Sequence, residues 1–132
     1  MDSLIRNSKL VRQTIDFSGL QNGKIHPTDI DAVLEFDNEV LILMEVKRQG
    51  NDIPMGQKLV LERIVNSWHT KKSIAILVAH DHYNAETDIP LHQCKVINYF
   101  YDLKWYTIDE RCLMEFLQSI GNKWNVNKLK FK

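Results

Sequence analysis

An α/β fold, a mixed central sheet flanked by helices, is expected from three observations. Residues 28–47 hold two strongly apolar segments on either side of the polar trio Asp37-Asn38-Glu39, which has turn chemistry. A stretch with helical apolar spacing then leads into Ile74-Ala75-Ile76-Leu77-Val78-Ala79, a continuous run of the kind found in a strand covered on both faces. Two aromatic-rich strands and a last amphipathic helix close the chain. At 132 residues it forms one domain, 1–132, with a substantial core.

Leu4, Ile5, Leu10, Val11 and Ile15 recur at near-helical spacing, so a first helix is expected from about Ser3 to Phe17, closed by Ser18-Gly19, with its apolar stripe over the hairpin. Gln21-Asn22-Gly23-Lys24 reads as a turn and Ile25-His26 as a short strand stopped by Pro27. If the hairpin loop is the three residues 37–39, with Asn38 left-handed, Phe36 faces Val40, Asp31 faces Glu45 and Asp29 faces Lys47. The acids and the lysine then share one face. The opposite face collects Ile30, Ala32, Leu34, Phe36, Val40, Ile42, Met44 and Val46, which should pack on helices. A two-residue loop would turn Asp31 to the wrong side.

Asp52 and Pro54 suggest a helix start, and the helix should run to about His69. Its stripe of Gln57, Leu61, Ile64 and Trp68 has one polar member, Gln57, which either reaches over the strand end or faces water. Strand, helix and buried strand make a parallel crossover that centres the sheet on Ser73–Ala79. Gln93–Tyr101 and Trp105-Tyr106 read as two strands joined through Asp102-Leu103-Lys104. Thr107–Asp109 should cap a final helix to about Ile120, with Leu113, Phe116, Leu117 and Ile120 inward and Gly121 as its stop.

Two carboxylates held opposite each other at the end of a buried hairpin repel, so one takes up a proton unless a cation sits between them. Hard oxygen ligands suit Mg²⁺ or Mn²⁺, and Lys47 on the same face can hold a water or neutralise charge on a phosphoryl group. These parts read as phosphodiester hydrolysis.

Asp31, the strand pair and Glu45-Val46-Lys47 resemble the signature of the PD-(D/E)xK nuclease superfamily: an Asp, a variable gap across a hairpin, then acid-x-Lys. Pro27-Thr28-Asp29-Ile30-Asp31 and Gly56-Gln57 resemble small phage and bacterial nucleases of this group, of the Holliday-junction-resolvase kind. The resemblance covers the chain from the first helix through Ala79. It implies a restriction-endonuclease-like αβββαβ core and a Mg²⁺-dependent endodeoxyribonuclease. Asp31, Glu45 and the Val46 carbonyl would be metal ligands, with Asp31, Glu45, Lys47 and Gln57 as the catalytic set. DNA is the implied partner, with a homodimer or a phage or host DNA-processing protein as further partners. Many members carry a Glu on the first helix, but no Glu precedes Glu35 here; only Asp2 and Asp16 are available.

Composition bounds these readings. Hydrophobic residues at 44% and charged residues at 26% are ordinary globular values, and no apolar run has membrane-spanning length. Met1-Asp2-Ser3 leads into a mixed helix without a leader's apolar core, and two cysteines make no disulfide framework, so a cytoplasmic, reduced protein is expected. Lys plus Arg and Asp plus Glu are 17 each, which argues against strong nonspecific duplex binding. That balance favours an alternative, a catalytically silent nuclease-fold subunit for nucleic-acid binding or assembly. Lys123, Lys128, Lys130 and Lys132 make the tail basic, either to touch phosphates or as a solvated end. His80-Asp81-His82, with Asp88 and His92, is a second metal-like cluster that reads as a zinc site or, better, as a loop. Tyr99, Tyr101, Trp105 and Tyr106 are either a base-stacking surface or packing. His26 and Asp29 lie close enough in sequence to take part in the site, or mark only its approach.

Overall fold

The computed structural model describes residues 15–81 and 88–131. The first helix expected over residues 3–17 lies almost wholly outside them, and its described end, 15–17, is not helical. Five strands form one sheet in chain order: β1 (Ala32–Phe36), β2 (Val40–Arg48), β3 (Ser73–His80), β4 (Lys95–Tyr101) and β5 (Lys104–Cys112). Only β2 and β3 are parallel; the crossover between them is helix α1 (Met55–Ser67). The remaining pairs are antiparallel, and helix α2 (Leu113–Trp124) follows β5. The fold is therefore α/β with a mixed sheet and a helix on each face. Among the described residues no helix is long and apolar enough to cross a membrane.

Side-chain alternation divides the core in two. Leu41, Leu43, Ala75, Leu77 and Phe100 meet Leu61 and Val65 of α1. On the other face Val40, Ile42, Met44, Ile76, Val78 and Val96 meet Leu113, Phe116, Leu117 and Ile120 of α2. Because β3 feeds both layers, Ser73–Ala79 is buried throughout, which accounts for its unbroken apolar run.

The hairpin register follows a three-residue loop, from Phe36↔Val40 to Ala32↔Met44. Asp37 and Asn38 both adopt positive φ, a conformation short polar side chains tolerate, and the Asn38 N–H is taken up by Glu35 Oε2 at 2.7 Å. The apolar face of the hairpin packs on the α2 side, except Ile30, which joins the α1 cluster. The cause is that β1 ends at Ala32 and the chain bends at Asp31, so strand alternation no longer governs Ile30. Ile25-His26 is not a strand either: Asn22 and Ile25 close an isolated bridge around Gly23. Two strands, not the three of the implied core, precede α1 among the described residues.

Other boundaries move. Pro54, rather than Asp52, is the N-cap of α1, which ends at Ser67, two residues short of His69. The turn after β4 is Asp102-Leu103 alone, both at positive φ, with Lys104 already in strand. Thr107–Asp109 caps no helix: β5 runs on to Cys112, since Ile108 packs into the core between exposed Thr107 and Asp109. The first N–H of α2 is satisfied instead by the Cys94 carbonyl, 2.8 Å from Leu113 N. Gly121 does not stop α2. It lies inside the helix, where an added Cβ would sit 2.7 Å from Leu129 Cβ, and left-handed Asn125 ends the helix. The basic tail is folded back: Leu129 is 0% exposed, Gln118 donates to the Phe131 carbonyl at 3.0 Å, and Lys128 pairs with Asp37.

Candidate metal centre

Where β1 ends, the Val46 N–H of β2 loses its main-chain partner and is taken by the side chain of Asp31, whose Oδ2 accepts it at 2.7 Å. This fixes the Asp31 carboxylate at the open end of the hairpin, opposite Glu45. Along a strand the N–H and C=O of one residue point the same way, so the Val46 carbonyl is also turned toward the end of β1. Glu45 lies on the α1 side, between Leu43 and Lys47 in alternation, and is only 5% exposed.

The Asp31 carboxyl group beside Glu45 favours a protonated Glu45, since a hydrogen bond between two carboxyl groups needs a proton on one of them. Burial first, then that shared hydrogen bond, then the charges of Asp31 and Asp29 push Glu45 up to about 8 from an ordinary 4.5. A hydrogen bond with the Asp31 main chain opposes them. The other oxygen, Oε2, is buried with no hydrogen-bond partner. An orphaned carboxylate oxygen beside a second carboxylate and a main-chain carbonyl is the donor set a hard divalent cation takes, so the residues fit Mg²⁺ or Mn²⁺. Among the described residues no three of His, Cys, Asp and Glu gather into a ligand group.

Lys47 follows on the same face, its side chain 13% exposed, and its Nζ lies 3.7 Å from Oδ1 of Asp52, which is 97% exposed. The sequence offers Asp52 only as a helix start. The signal available was its place five residues beyond Lys47, after Gly50, whose φ of +89° turns the chain back. Gln57, in the first turn of α1, reaches toward the other side of the site and donates to the Asp29 carbonyl at 3.5 Å. Asp29 thus takes part twice, through that carbonyl and through its charge on Glu45.

His26 is exposed and its Nδ1 bonds the Pro27 carbonyl at 2.9 Å. His82 falls outside the described residues, and Asp88 and His92 are exposed. The aromatic residues form no common stacking surface: Tyr99 stacks on Tyr106 and tilts against Phe116 of α2, whereas Trp105 lies on the α1 side against Phe100. Cys94 is a buried free thiol, its pKa raised by burial and by the charge of Asp81.

No protein-family model matches the chain, and no curated protein and no solved structure matches it.

Proposed function

We propose that the protein is a metal-dependent nuclease that hydrolyses phosphodiester bonds of DNA, with a restriction-endonuclease-like core of the PD-(D/E)xK kind. The observation that carries the reading is the Asp31–Glu45 pair with its orphaned oxygen. Asp31, Glu45 and the Val46 carbonyl would hold Mg²⁺ or Mn²⁺, which supplies Lewis-acid stabilisation of charge on the phosphoryl group and acidifies a water. Asp31 is held in place by the Val46 N–H, so its orientation does not depend on the cation. Burial of Glu45 keeps bulk water from competing for its oxygens. Lys47 leaves Asp52, a weak exposed partner, to orient the attacking water or meet phosphate charge. Gln57 steadies the segment that carries Asp29 and Asp31.

The test is a Mn²⁺-dependent cleavage assay on linear, nicked, branched and single-stranded DNA, run beside Glu45→Ala and Lys47→Ala. Cleavage that both substitutions abolish supports the reading; a Lys47→Ala protein that cuts as fast as wild type refutes the role given to Lys47. The Lys47–Asp52 contact favours a second reading, a binding or assembly subunit without turnover, because it holds the lysine on an acid. That reading expects nucleic-acid binding and no cleavage of any substrate.

A further inference from the structure

A second cation and a cavity lie two strands away from the candidate metal centre. In the ladder Lys47 aligns with Ala79 of β3, and Ala79 aligns with Lys95 of β4. Aligned residues share a face, so the two lysines flank a single methyl group, with strand lines about 10 Å apart. Above Ala79, off the carboxyl end of β3, opens a cavity of about 200 Å³ bordered by Lys95, Gln49, Gln93, His80 and Asp81. His80 and Asp81 have interactions of their own. Lys95 is exposed and makes no ion pair among the described residues. Gln49 and Gln93 carry side-chain amides that can donate to an oxyanion. Two residues further in along β3, on the same face, Asn98 aligns with Leu77 and thus with Glu45, and its Oδ1 is buried without a partner. On β3 the residues between the two polar groups are the buried apolar Leu77 and Ala79, so Glu45 and Lys47 on β2 and Asn98 and Lys95 on β4 flank an apolar strip.

We infer that Lys95, with Gln49 and Gln93 at the cavity over Ala79, binds a second backbone phosphate of the nucleic-acid strand whose scissile phosphate lies at Asp31, Glu45 and Lys47. The inference rests on the nuclease reading for the position of the scissile phosphate and adds the direction of the strand, across the ends of β2, β3 and β4. It makes the substrate a polymer gripped on one side of the cut, rather than an isolated phosphodiester.

The experiment measures binding of a fluorescent single-stranded 12-mer DNA by anisotropy over a range of salt concentrations, with Ca²⁺ as the divalent ion. Wild type, Lys95→Ala, Lys95→Arg and, as a control at the other end of the sheet, Lys71→Ala are compared. The expected result is a salt slope shallower by about 0.7 in Lys95→Ala, one phosphate contact on a single strand, with the slope kept in Lys95→Arg and in Lys71→Ala. An unchanged slope and affinity in Lys95→Ala would overturn the inference, as would failure of wild type to bind the oligonucleotide. Mn²⁺-dependent cleavage by wild type and Asp31→Asn, measured in parallel, separates the two readings. A protein that never cuts but loses slope in Lys95→Ala keeps the subsite and gives up the nuclease. One that cuts through Asp31 with Lys95→Ala unaffected keeps the nuclease and gives up the subsite.

Discussion

The two ends of one hairpin differ in how their polar groups are treated. At the closed end, the turn Asp37–Glu39 is tied down from three directions. Trp68 Nε1 donates to the Glu39 carbonyl at 2.9 Å, as does Thr70 Oγ1 at 2.5 Å, and His69 Nε2 bonds the Asn38 carbonyl. Lys72 pairs with Glu39 at 2.6 Å and Lys128 with Asp37 at 2.7 Å. At the open end, in the same two strands, two carboxyl groups are pressed together, one oxygen has no partner, and the lysine reaches only a distant exposed acid. Folding alone rewards the first arrangement and penalises the second. An unbalanced end on a well-tied hairpin supports the proposed site for a cation and an anionic substrate.

The largest effect should come from removing the unbalanced groups. Asp31→Asn or Glu45→Ala is expected to lower Mn²⁺-dependent cleavage at least ~100-fold, the scale of losing an electrostatic group at a reacting centre. Initial rates on the best DNA substrate check it, and rates within a few fold of wild type would contradict it.

The next effect is on stability, and its sign is fixed by the direction of the Glu45 shift. With a folded-state value of about 8 against an ordinary 4.5, the folded chain holds this proton more tightly than the unfolded chain. The stabilisation is fully present below about 4.5 and is lost as pH rises through about 8. Urea unfolding at pH 5 and pH 9 should therefore differ by up to about 4 kcal/mol from this group. Glu45→Gln should remove that dependence and be the more stable protein at pH 9. Equal pH dependence in both proteins would remove the case for a strained carboxyl pair.

Changes at the closed end should be smaller and leave the open end untouched. Trp68→Phe deletes one hydrogen bond while keeping an aromatic ring and should cost about 1 kcal/mol with no change in Mn²⁺ affinity. Lys128→Ala breaks an exposed pair and should cost less than about 0.5 kcal/mol. A large loss in either, or a change in metal binding, would mean that the two ends are coupled.

The open end was more legible in the sequence than the far side of the sheet. The polar trio between apolar strands set the loop length, and with it the pairing that brings Asp31 to Glu45. The continuous run through Ala79 marked the central strand. Thr107-Ile108-Asp109 was ambiguous because Thr and Asp are good helix caps and also good outward residues of an alternating strand. Pairing with β4 decided it for the strand, and no local signal reports that pairing. Gly121 misled for the related reason that a glycine ends helices and also admits a close neighbour, here Leu129. Alternation places Ile30 on the wrong face because β1 extends only as far as Ala32. Asp52 was missed as the partner of Lys47 because the contact depends on the turn at Gly50.

Asp31 and Glu45 are proposed to share one divalent cation. Calorimetric titration of Mn²⁺ at pH 7, in two buffers of different ionisation enthalpy, tests it most directly, because a cation can enter only as the Glu45 proton leaves. The expected result is binding to wild type with release of about one proton per ion, and loss of both binding and proton release in Glu45→Gln. Absence of binding to wild type, or binding without proton release that Glu45→Gln reproduces, would contradict it.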